Sequence, residues 1–204
     1  MHLSWLGSTA IKIQAKPFNE DITLVLDTYK PKIGSFPRNL TAHIALYTRG
    51  EEDSITISGN PFTLSIPGEC ENKGILIMGV QGEKADETMF RIDAEDISVA
   101  HLGLASKQLT DAQLEVFAGV DVLILPIGGQ DSYDAETAVK IVNSIEPRII
   151  IPMAFKSDND PKATTVDNFL KEMGSADIKP EKKVILKQKD LPQEETQIIV
   201  LEKE

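Results

Sequence analysis

Apolar residues come in short runs over the first hundred positions and change rhythm after that. Residues 11–14, 22–26, 44–47, 62–66, 75–80 and 97–100 are brief stretches rich in Ile, Val, Leu, Phe or Met, separated by turn-forming sequence. That is the pattern of strands, not helices. Gly59-Asn60, Pro67-Gly68 and Gly82 punctuate the runs, because glycine admits a positive φ and proline lacks an amide donor. The first half is therefore expected to be mainly β, made of meanders and hairpins.

From Thr110 the spacing becomes helical. Thr110 with Gln113 three residues on forms a capping box, and Leu114, Phe117 and Ala118 then share one face. Val122-Leu123-Ile124-Leu125 is an unbroken apolar run suited to a strand covered on both faces, and Pro126 and Gly128-Gly129 end it. Asp134 can cap a second helix, in which Ala138, Ile141, Val142 and Ile145 recur at i, i+3, i+4, i+7 until Pro147. Ile149-Ile150-Ile151 predicts another buried strand. Thr164 is expected to cap a third helix carrying Val166, Phe169, Leu170 and Met173, with Gly174 placed for a left-handed cap. Residues 184–186 and 197–201 close the chain as strands, and the polar segments 157–161 and 179–183 read as surface loops. Strands first, then strands alternating with helices, predict an α/β sandwich of two packed mixed β-sheets with helices on the outer faces.

At 204 residues one domain spanning 1–204 is expected. A hydrophobic share of 41% with 26% charged residues is globular, not disordered, composition. The net charge of -11 repels phosphate backbones and anionic lipid heads, so neither nucleic acid nor membrane is an expected partner. With Cys70 as the single cysteine, neither an intrachain disulfide nor a cysteine zinc knuckle can form, which fits a reducing compartment. The start has no basic flank before an apolar run, and no stretch approaches the ~20 apolar residues of a bilayer span. A cytoplasmic protein is expected.

Trp5-Leu6-Gly7-Ser8-Thr9 with Val25-Leu26-Asp27, then Ile66-Pro67-Gly68-Glu69, Gly79-Val80, Val99-Ala100-His101-Leu102-Gly103, Val122 to Gly129 and Glu146 to Met153 occur in a fixed order. In that order they resemble the metallo-β-lactamase superfamily, in particular the branch of ascorbate-6-phosphate lactonase and related metal-dependent hydrolases. The resemblance covers residues 1 to about 155 and implies the αββα sandwich. It also implies a metal site: a His-x-His-x-Asp-His loop after a buried strand, then a later His, an Asp and a final His. Such ligands hold one or two ions that lower the pKa of a bound water to make hydroxide.

At the place of that loop the chain reads Arg49-Gly50-Glu51-Glu52-Asp53-Ser54, and only Asp53 matches. Arg49 stands where the first histidine belongs, and a guanidinium has no lone pair to give and repels a cation. Ser54 stands where the last belongs. Gln81-Gly82 follows Val80 where a histidine is expected, Leu104 takes the place of the bridging aspartate, and Ala154 that of the final histidine. His101 lies near the family's site without being a ligand, and a buried histidine satisfied by backbone is its expected role; for Asp27 a structural hydrogen-bonding role is expected.

The expectation is a catalytically silent binding or interaction module without a cofactor, its partner a protein or small molecule, and homo-oligomerisation left open. The alternative is a lactonase-, esterase- or phosphodiesterase-like hydrolase in which Glu51, Asp53 and His101 work with one weakly held Zn or Mn. Convergence of those three side chains on one cavity would favour the alternative. A cavity filled by Arg49, Leu104 and Phe155 would favour the silent module. Arg49 beside Glu51 and Asp53 also suggests an ion pair that replaces a metal's charge.

Overall fold

The computed structural model describes residues 1–175 and 178–204. Strand alternation in the first half sorts large side chains to one face and small ones to the other. In β1 (His2–Gly7), β2 (Ala10–Ala15), β3 (Ile22–Leu26) and β4 (Ile44–Leu46), Leu3, Trp5, Ile11, Ile13, Leu24, Leu26, Ile44 and Leu46 enter the main core. Ala10, Val25 and Ala45 point to the opposite face, where a second cluster forms with Leu6, Leu40, Ala42 and Tyr47. A period of two makes this sorting automatic once one face is buried.

These strands, with β5 (Phe62–Leu64) and the late β12 (Val184–Ile185), form a six-stranded sheet in the order β12-β1-β2-β3-β4-β5. The second sheet has seven strands in the order β13-β11-β10-β9-β8-β7-β6: β6 (Gly68–Asn72), β7 (Ile75–Gln81), β8 (Thr88–Ala94), β9 (Ile97–His101), β10 (Val122–Pro126), β11 (Ile149–Met153) and β13 (Gln197–Ile198). Both sheets are mixed. β3, β4 and β5 run parallel, as do β9, β10, β11 and β13, while the hairpin-linked strands are antiparallel. Every residue of β10 and β11 is buried, as a parallel strand covered on both faces requires.

Helices α1 (Asp111–Phe117), α2 (Ala135–Ile145) and α3 (Asp167–Glu172) pack together, with α1 against β7 and α2 against β10 of the seven-stranded sheet. The capping box of Thr110 and Gln113 forms, and Asp134 accepts from the Thr137 amide. Ala138, Ile141, Val142 and Ile145 are all buried.

The two-sheet sandwich forms as expected, with α1 and α2 on the seven-stranded sheet, and loops contribute to the outer face of the six-stranded one. Tyr29, Phe36, Ile55 and Ile57, carried by the loops around β4, pack over its outer cluster. Several expectations are corrected. Thr164 does not cap α3: its hydroxyl donates to the Ile127 carbonyl at 3.3 Å, and Val166 is the N-cap, without a side-chain bond. Ala118 is exposed, and the buried polar Gln113 takes its place under α1. The apolar runs do not mark β1, β6 and β8, because polar residues interrupt their apolar positions.

Candidate functional site

One end of the sandwich is built from the turns that leave β1, β3, β4, β9, β10 and β11. Loops at the carboxyl ends of parallel strands are where open α/β sheets place ligands. Four non-glycine residues there hold the left-handed conformation: Ser8 (φ 48), Asp27 (φ 47), Gln130 (φ 55) and Ala154 (φ 56). Each costs about 1–2 kcal/mol for an L-residue, and such strain persists where the surroundings overdetermine it, often at functional sites.

The surroundings do so here. The Ser8 carbonyl accepts from the Trp5 indole nitrogen at 2.8 Å and from the Ala154 amide at 3.0 Å. Asp27 accepts from the Thr48 amide and the Thr48 hydroxyl, both at 2.6 Å, and so pins the end of β4 to the end of β3. A Cβ on Gly128 would lie 2.0 Å from the Ala154 carbonyl oxygen, so the loop after β10 rests directly on the end of β11.

Two cavities meet at this end. A cleft of about 510 Å³ is bounded by Ser8, Asp27, Arg49, Asp53, Asn159 and Asp160, among others. A smaller cavity of about 130 Å³ is bounded by Ser8, Arg49, Leu104, Gln130, Asp131, Ala154 and Asp160, with further residues of the same loops. Ser8, Arg49 and Asp160 border both. A crevice of about 10 Å³ beside Arg49, with Gly82 and Leu104 in its wall, has room for about one water molecule.

The positions singled out in the sequence thus meet in part. Arg49, Leu104 and Ala154 come from three separate loops and line one cavity. Ser54 is half-buried; its hydroxyl lies 2.8 Å from that of Thr28 and donates to the Ile55 carbonyl at 3.0 Å, tying the loop down.

Others do not converge. Glu51 is exposed on a turn closed by the Ser54 amide donating to its carbonyl at 3.0 Å, and it lines neither cavity. Asp53 lines the larger cleft. His101 is fully buried, with Nε2 2.8 Å from the Thr9 carbonyl and Nδ1 accepting from the Gly103 amide at 3.2 Å. That pairing makes Nε2 the protonated nitrogen. Burial drives its pKa below the usual histidine value; nearby Asp27 opposes the shift and Arg49 adds to it. The grouping of Glu51, Asp53 and His101 is therefore corrected: the turn carries Glu51 outward, and the backbone occupies both ring nitrogens of His101.

The expected ion pair of Arg49 with Glu51 or Asp53 is also absent among the described residues. Arg49 is exposed into the cleft. Phe155 does not fill the cavity but packs on Trp5, ring centroids 4.4 Å apart.

The loop after β7 serves as a clamp. Glu83 accepts from the amide and hydroxyl of Ser106 and from the Lys107 amide. Partial burial would raise its pKa, and these bonds together hold it below the usual glutamate value. Among the described residues no group of three or more His, Cys, Asp or Glu side chains is placed to hold a metal ion.

The sequence did not point to Ser8, Gln130, Asp131, Asn159 or Asp160 as cleft residues. The polar run 157–161 signalled a loop, but nothing local showed that it folds over the cleft, where the Asn159 amide donates to the Ile33 carbonyl at 2.6 Å.

Comparison with known proteins agrees with this architecture. The chain is 39% identical over 77 residues to a UPF0173 protein of Pyrococcus furiosus and 32% identical over 96 residues to a UPF0173 metal-dependent hydrolase of Staphylothermus marinus. Those alignments take in 37% and 47% of this chain, and the chain spans only 33% and 41% of those relatives' lengths. A Thermotoga maritima structure described as a candidate Zn-dependent hydrolase of the metallo-β-lactamase superfamily superposes with a TM-score of 0.81 at 27% identity, covering 98% of each chain. Igni18, a metallo hydrolase of Ignicoccus hospitalis, superposes with a TM-score of 0.66 at 15% identity over 91% of this chain and 99% of its own, a likeness of fold alone. No helix among the described residues is long and apolar enough to cross a membrane. Residues 2–154 match the family model of the beta-lactamase superfamily domain, and the chain belongs to that family, with the two-sheet fold of the metallo-β-lactamases.

Proposed function

We propose that this chain is a single-domain, metal-independent member of its superfamily, a catalytically silent module that binds a partner at the strand-end cleft. The observation that carries the reading is the meeting of Arg49, Leu104 and Ala154 on one cavity wall. By the family pattern these positions belong to metal ligands. None of the three side chains has a lone pair suited to a divalent ion, and the guanidinium repels one. A fixed positive charge on the wall shared by the two cavities suits the binding of a polar ligand better than the generation of hydroxide.

Metal content by elemental analysis tests this, on protein purified without chelator and incubated with zinc and manganese, beside a homologue that has the full ligand pattern. Less than about a tenth of an ion per chain, under conditions that load the homologue fully, is expected. A stoichiometric ion would overturn the reading.

A second reading is favoured by the names of the relatives, which describe metal-dependent hydrolases. It has a hydrolase with an altered, single-metal site, using Asp53 from the cleft wall. It requires both a bound ion and hydrolysis of a lactone, ester or phosphodiester that Asp53→Asn abolishes.

A further inference from the structure

Arg49 and Asp160 are the two charged residues common to both cavities. Neither takes part in an ion pair among the described residues, so opposite charges border one space without neutralising each other. The neighbouring acid shows the contrast: Asp158 is held by Lys203 at 2.5 Å and by the Ser35 amide at 3.1 Å. The larger cleft carries Lys30, Lys32 and Arg49 against Asp27, Glu52, Asp53 and Asp160. That near-balance stands out in a protein of net charge -11, and it favours neither a simple anion nor a simple cation.

We propose that the junction of the two cavities binds a small zwitterion of the α-amino-acid type, its carboxylate on Arg49 and its ammonium on Asp160. This deepens the reading of a metal-independent binding module and rests on it. A guanidinium offers a carboxylate two parallel donors, and a carboxylate accepts from an ammonium with the strength of charge-assisted hydrogen bonds. The 510 Å³ cleft takes the side chain, since it falls within the size range of small-molecule sites. Ser8 stands at the same junction in a turn fixed from both sides, so the ligand meets a wall that is already formed.

Calorimetric titration of the full chain with a panel of the common α-amino acids tests this. The tightest binder is compared with its des-amino and its decarboxylated analogues, and then titrated into Arg49→Gln and Asp160→Asn. Each loss of one charge, on ligand or protein, is expected to weaken binding about tenfold or more. Both substitutions replace side chains outside the apolar core, and thermal melts of the two variants confirm that they fold. The proposal is overturned if no amino acid binds the unaltered protein, if an analogue with one charge binds as well as the zwitterion, or if folded variants bind unchanged. Metal analysis of the same sample separates the two ideas: a stoichiometric ion sinks the metal-independent reading, and failed titration of an ion-free sample sinks this proposal alone.

Discussion

Replacing Gly128 by alanine would put a methyl carbon where the end of β11 already lies. The ideal position is 2.0 Å from the Ala154 carbonyl oxygen, 3.0 Å from its carbon and 3.2 Å from the Ala163 Cβ. The first two are backbone atoms, and Ala154 is itself anchored by its amide donating to the Ser8 carbonyl. No side chain can rotate away, so the loop after β10 must lift off β11 by more than 1 Å, a figure set by the gap between 2.0 Å and a normal contact of about 3.3 Å. Overpacking of a well-filled interior costs typically about 1–3 kcal/mol, and a clash with fixed backbone belongs at the top of that range. We therefore expect Gly128→Ala to lose about 3 kcal/mol.

In urea the midpoint should fall by about 1–2 M at an unchanged slope. Gly174→Ala is the control: among the described residues its added methyl meets nothing within 4 Å, and its φ of +68 is unfavourable, which costs about 1 kcal/mol. If both variants lose the same small amount, the β10 loop does not rest on β11 and the cleft wall described above is misplaced.

Further outcomes can be checked alongside. His101 is held neutral by burial, its pKa below the ordinary 6.5, so the unfolded chain binds the extra proton. Stability is full above about pH 6.5 and falls as the pH drops below it, at up to about 1.4 kcal/mol per pH unit. His101→Gln should flatten that slope in urea midpoints taken between pH 5 and 7; parallel curves for the two proteins would contradict the assignment. Glu83→Gln removes a charge that three donors hold; a cost of about 1 kcal/mol and faster amide exchange at Ser106 and Lys107 are expected, and unchanged exchange counts against the clamp. Lys203 ties the Ser35 carbonyl at 2.7 Å to Asp158. Lys203→Ala should speed hydrogen exchange at Ser35 and residues 157–160 while moving the melting temperature little, since a pair whose Asp158 end is half open to solvent contributes about 1 kcal/mol or less; a large drop in melting temperature would mean that this tie also supports the core.

By itself, the chain determined the elements whose signals are local. Thr110 with Gln113, Asp134 with its i, i+3, i+4, i+7 followers, and the apolar runs of β10 and β11 all formed as expected, because capping and periodicity act within a few residues. The ordered motifs also point to the two-sheet fold, whereas the meeting of Arg49, Leu104 and Ala154 on one cavity wall exists only in the folded chain. Tertiary structure alone decided which charges share a space. Asp160 reaches the cleft only because loop 157–160 folds back over residues 33–35; Glu51 leaves it because its turn closes on Ser54; His101 is silenced by Thr9, 92 positions away in the chain. The same is true of the outer face of the first sheet, where Tyr29, Phe36, Ile55 and Ile57 come from loops on either side of β4. Contacts across such separations depend on loop paths and packing, whose energies are spread over many residues, and no short window of sequence contains them.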